Sequence, residues 1–126
     1  MKLKTKTLYR PVGERELELV AASGFRRFPP RLNWQPIFYP VLNQAYAEQI
    51  AREWNTDDAF SGYAGHVTAF DLPEDYLSQF PVQLVGGEIH QELWIPAEEL
   101  DNFNDHIQGN IRVVISFYGD KHNKML

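Results

Sequence analysis

Prolines and glycines cut this chain into short segments, and the apolar period changes from one segment to the next. No other feature constrains the fold as much. Eight Pro and eight Gly fall within 126 residues. Between them the hydrophobic pattern switches repeatedly between a repeat of two and a repeat near 3.6. A chain punctuated in this way forms short strands and short helices, not a bundle of long helices. With 126 residues, 44% hydrophobic and 13% aromatic, it is long enough for one packed core without staples.

The segments read in order as follows. Leu3 to Arg10 is a strand whose Lys2, Lys4 and Lys6 share one face, a pattern that blunts a sheet edge. A helix over 14–23 carries Leu17, Val20 and Ala21 on its stripe, with Gly24 as its C′ residue. "FRRFPPRLNWQ" is a loop and "PIFYPVL" a strand. Asn43 caps a helix over 44–55, where Tyr46, Ala47, Ile50, Ala51 and Trp54 make one apolar face. "YAGHVTAFDL" is a strand, "PEDYLSQF" a short helix, and "VQLVGG" and "EIHQELWI" two further strands. A helix over 97–107 starts after Pro96 and stops at Gly109, and "IRVVISFY" is the last strand. Ile50, Trp54 and Phe103 are expected to be buried. The order β-α-β-α-β-α-β-β-α-β gives an α+β class with a bent or split, mainly antiparallel sheet and short interspersed helices. Residues 1–119 form one domain and 120–126 a polar tail.

Composition narrows the function. The absence of cysteine excludes disulfides, thiolate catalysis and Cys-ligated zinc, and it fits a bacterial cytoplasm. The opening "MKLKTKTLYR" is charged and lacks the apolar stretch of a signal peptide. No apolar run is long enough to span a membrane. A formal net charge of −5 argues against non-specific binding to a nucleic acid duplex. No glycine-rich strand-to-helix turn is present, which removes the dinucleotide fingerprint and the P-loop. The four histidines are scattered and no HExxH motif occurs, so no metal is expected.

The residues with chemical potential cluster late in the chain. In "EIHQELWIP", Ile89, Gln91, Leu93 and Ile95 face one way, and Glu88, His90, Glu92 and Trp94 the other. Glu92 precedes an apolar run, which dries its surroundings. A carboxylate there can orient a ribose hydroxyl and stabilise positive charge on a sugar carbon. The plainer reading is a wet Glu on an edge strand. Arg10 ends the first strand, where its guanidinium suits a phosphate or a ribose and equally suits the surface. Arg26, Arg27 and Arg31 flank "FPP" as a lip for a phosphate or a partner, or as a solvated loop. Phe38 and Tyr39 alternate, so one belongs to the core and the other lines a cleft.

Taken together, "LYR" early, "PIFYPVLNQAYAEQIAREW" in the middle and "HQELWIP" late resemble the three-part layout of ADP-ribosyltransferase-fold proteins. The resemblance matches Arg10 to the family's first-strand position, Tyr39 or Phe38 to the middle-strand position, and Glu92 to the catalytic Glu. His90 falls where arginine-modifying members carry Glu or Gln, and the Ser-Thr-Ser motif is absent. The chain is also similar to small bacterial proteins under an ADP-ribosylation/crystallin label. That label ordinarily denotes an all-helical, metal-dependent hydrolase, which this strand-rich pattern does not resemble.

The family resemblance implies NAD as substrate, bound between two halves of the sheet. Glu92 and His90 would then be catalytic, and Arg10, Tyr39 and Phe38 would contact NAD. The acceptor would be a protein or another nucleophile. A catalytically silent module of the same fold that binds a partner, and a small nucleotide or sugar hydrolase, are the alternatives.

Overall fold

The computed structural model describes residues 3–123. Lys2 of the expected lysine face and residues 124–126 of the expected tail lie outside the described residues.

The central strand explains itself from composition. β3 (Ala64–Pro73) reads AGHVTAFDLP, and its residues from Ala64 to Phe70 are all buried. A strand that is covered on both faces needs neighbours at both edges. β1 (Thr5–Val12) pairs with it antiparallel on one side and β7 (Gln108–Tyr118) antiparallel on the other. In the order β1-β3-β7 the two outer strands are β1 and β7, so Lys4 and Lys6 lie at a sheet edge, as the lysine pattern suggested.

The other half of the sheet is a single antiparallel ribbon interrupted by Pro40. β2 (Ile37–Phe38) pairs with β6 (Ile95–Pro96), and Val41 bridges Glu92 of β5 (Gln91–Glu92). The pairs Ile37↔Pro96, Phe38↔Ile95 and Val41↔Glu92 keep one register. β4 (Gln83–Leu84) adds a last short strand beside β5. The ribbon joins β1 through the Tyr9–Val41 bridge, with mutual backbone bonds of 2.9 and 2.7 Å. Beyond that bridge, β2 and β6 form a separate sheet. Of the expected bent or split, mainly antiparallel sheet, the split form is present, with short helices between antiparallel strands.

Helices cover both faces. α1 (Glu14–Ala22) ends in a Schellman motif: Gly24 N–H bonds Ala21 O at 2.9 Å and Phe25 N–H bonds Val20 O at 3.0 Å. Gly24 has φ +78, the left-handed conformation this cap requires. α2 (Gln44–Glu53) starts where Asn43 Oδ1 accepts Tyr46 N–H at 2.7 Å. It lays Ala47 and Ala51 on Val41 and Val67. The larger core lies on the other face, built from Leu8, Val20, Phe38, Phe70, Ile95 and Phe103 among others. α3 (Glu74–Leu77) is the expected short helix.

Three local readings are corrected. Trp54 is 59% exposed, not buried. The chain leaves α2 at this residue, and Asn55 turns inward in its place. The helix after Pro96 is shorter than 97–107: a tight turn at Ala97–Glu99 precedes α4 (Leu100–Asp105). Asn104 sits at its inner end, accepting Phe28 N–H at 2.9 Å and donating to Phe28 O at 3.0 Å. Gly109, with φ +72, is then an irregularity at the start of β7 and not a helix stop.

Third, residues 88–90 are turn, not strand. Val85 N–H bonds His90 O, and His90 Nδ1 accepts Gly87 N–H at 2.8 Å. A Cβ at Gly86 would collide with the His90 ring, so the turn depends on glycine there. At the other end, the polar segment begins as a helical turn, α5 (Asp120–Asn123), with His122 Nδ1 donating to Gly62 O at 3.2 Å.

Candidate functional site

The split in the sheet leaves a cavity of about 850 Å³. Its walls come from the end of β1 and the first turns of α1, from the Pro29–Gln35 loop, and from Tyr39, Val41, Glu92 and Trp94 of the ribbon. The far end of α2 and the turn at Phe60–Ser61 complete it. That volume and a largely apolar lining with few polar groups are ordinary for a small-molecule site, which spans ~300–1,000 Å³.

The sheet register explains why the split matters. Tyr9, Val41 and Glu92 are directly paired and share one side of the sheet. Arg10, one residue after Tyr9, belongs to the opposite side. An unbroken sheet would keep Arg10 and Glu92 apart. The divergence of β1 from the ribbon lets both line one cavity.

Glu92 is held from two directions. Trp94 Nε1 donates to its Oε1 at 2.8 Å, and Tyr46 Oη donates to its Oε2 at 3.1 Å. Trp94 follows from the strand period, two residues on and on the same face. Tyr46 comes from α2, and its sequence pattern marks it only as part of the helix stripe. Burial and then the Glu92 carboxylate raise the Tyr46 phenol from 10.0 to about 12.

This coupling predicts an alkaline effect. The folded chain holds the Tyr46 proton more tightly than the unfolded chain does. The stability it contributes is therefore complete below pH 10 and is lost as pH rises towards about 12. In a phenolate absorbance titration, Tyr46→Phe should remove one late-titrating phenol. Loss of an ordinary phenol instead would show that Tyr46 is not coupled to Glu92.

Arg10 is bound on the opposite wall. Its Nε and Nη2 donate to the two oxygens of Glu16 at 2.7 and 2.9 Å, and its Nη1 reaches Tyr39 O at 3.4 Å. Tyr39, 40% exposed, lines the cavity. Glu16 is placed by α1, whose first residue, Glu14, bonds Nε2 of the buried His66. Ser116 Oγ is hydrogen-bonded to the other nitrogen of that ring at 2.6 Å. A carboxylate can only accept, so Nε2 carries the proton. Nothing in the sequence marked Glu16 or this fastening, because both depend on where α1 docks.

Two of the residues that the family resemblance implied for the site do not line the cavity. Phe38 is a core residue, fully enclosed and packed on Phe28 and Phe103. Its position on β2 gives Tyr39 the cavity side. His90 sits in the turn before β5, with Nε2 donating to Gln49 Oε1 at 2.9 Å and its ring 4.7 Å from that of Tyr46. It backs the residue that holds Glu92 and does not reach the cavity. Of the three loop arginines, Arg27 pairs with Asp101 and Asp105 and Arg26 lies outside, so Arg31 alone lines the cavity.

No family model matches this sequence, and neither curated proteins nor solved structures give a significant match. Among the described residues, no group of three or more His, Asp or Glu is arranged to hold a metal ion, and no helix is long and apolar enough to cross a membrane.

Proposed function

We propose that the chain is an NAD-dependent ADP-ribosyltransferase acting through Glu92. One observation carries this reading: Arg10, Tyr39 and Glu92, from three separate segments, line a single cavity at the split of the sheet. Glu92 is fixed by Tyr46 and Trp94 but keeps lone pairs free to accept a ribose hydroxyl. Its charge then favours the positive character that develops at the anomeric carbon as nicotinamide leaves. Tyr39 offers an aromatic face to the nicotinamide ring. Arg10 is committed to Glu16, so it acts by positioning: its Nη1 holds the Tyr39 carbonyl. Transfer requires that the bound complex limit water, which would otherwise divert it to hydrolysis.

A thermal titration tests the reading. NAD at 100 times its dissociation constant should stabilise the native chain by about 2.7 kcal/mol, read as a rise in melting temperature. No shift at millimolar NAD would overturn it. The second reading, a silent module that binds a protein partner, is favoured by the aromatic residues at the cavity's outer end. Trp54 is 59% and Phe60 74% exposed. Large exposed apolar groups of this kind often mark contact surfaces.

A further inference from the structure

Two guanidinium groups flank the Phe38 ring, that of Arg10 at 4.6 Å and that of Arg31 at 5.9 Å from its centroid. Both residues line the cavity, but their partners differ. Glu16 fills the fork of Arg10. Arg31 gives its Nε to Ile37 O at 3.0 Å, and no carboxylate among the described residues lies within ion-pair distance of it. Its two Nη nitrogens have no protein acceptor among the described residues. Neither is sealed away from solvent, since Asn55 Oδ1 is the orphaned buried side-chain atom found among those residues.

A half-buried cation that no acid pairs directly is costly to keep, and a second cation nearby adds to the cost. The Arg31 guanidinium is accordingly held below its ordinary range, by burial first and then by the charge of Arg10, with the charge of Glu16 offsetting only part of this. An incoming oxyanion would offset both effects. The two free nitrogens match the paired oxygens of a phosphate or carboxylate. The same cavity is lined by the apolar or aromatic Leu19, Pro29, Pro30, Leu32 and Trp94, and its two carboxylates, Glu16 and Glu92, are already engaged by Arg10 and by Tyr46 and Trp94.

We propose that Arg31 is the anion-recognising residue of the cavity, and that its ligand joins one oxyanion to an aromatic or apolar body. Arg10 keeps the structural task of holding Glu16 and Tyr39. The assignment shares the cavity with the transferase reading but does not need NAD.

Phenyl phosphate and benzoate are suitable probes, because they separate the two oxyanions and contain no nicotinamide. Phenol serves as the uncharged control. At least one of the two anions should bind the wild-type chain saturably in calorimetry and more tightly than phenol. Arg31→Gln should weaken that binding at least about tenfold, the weight of a charge-assisted hydrogen bond. Arg31→Lys, which keeps the charge and loses the fork, should fall between. Arg31→Gln gives up the bond to Ile37 O as well as the charge, so its melting temperature is measured in parallel, and binding is compared at a temperature where both chains are fully folded. Failure of both anions to bind, or equal binding by wild type and Arg31→Gln, overturns the proposal. Arg31-dependent binding of either probe without NAD binding leaves it standing and removes the transferase reading.

Discussion

On the proposed transferase reading, Glu92→Gln should reduce ADP-ribosyl transfer and NAD hydrolysis by roughly 10²–10³-fold, the usual cost of removing one electrostatic stabiliser of a transition state. The substitution keeps the shape of the side chain. Its carbonyl oxygen can still accept from Trp94 Nε1, and its amide can donate to the Tyr46 oxygen, so both anchoring contacts survive. The melting temperature should therefore change little. The loss should fall on kcat and leave NAD binding nearly unaltered, because the charge matters most when the sugar carbon becomes positive. Glu88→Gln is the matched control: Glu88 is exposed in the turn before β5. If Glu88→Gln removes activity and Glu92→Gln does not, the wrong acid has been chosen. A lowered melting temperature in Glu92→Gln would instead make Glu92 a structural link between β5 and α2.

Phe103→Ala should destabilise the fold by ~3–5 kcal/mol, with the midpoint of denaturant unfolding shifted and its slope unchanged. Phe103 is fully enclosed. Its ring meets Phe38 edge-on at 5.5 Å and lies 6.2 Å from both Phe70 and Tyr76. These partners come from β2, β3 and α3, so one side chain joins three elements. Phe38 in turn supports the two arginines of the cavity wall. A cavity left at Phe103 should also loosen that wall, whereas Phe103→Leu should recover much of the stability. A loss below about 1 kcal/mol would mean that the site collapses easily around the smaller residue.

Local periodicity determined the kinds and order of elements. The Asn43 cap, the Gly24 stop, and the buried Leu93 and Ile95 opposite Glu92 and Trp94 follow from interactions between residues close in sequence. Such interactions are legible without a fold. The alternation that put Phe38 and Tyr39 on opposite sides was equally legible, but which of them faced the core was not.

Tertiary structure decided the rest. A stripe shows which residues share a face but not where the helix ends, so Trp54 read as core until the chain turned and Asn55 took the inner place. The two glycines before Glu88 signalled a turn, but the His90 ring that closes it reached further along the chain than strand period implies. The cavity itself is the clearest case. Arg10 and Glu92 belong to opposite sides of the sheet by register, and they line one space because β1 parts from the ribbon after Tyr9. That parting, like the choice of Arg10 and not Arg31 as the partner of Glu16, depends on contacts between segments far apart in sequence. Such contacts form only when α1, the loop and the ribbon have docked, and no short-range pattern encodes them.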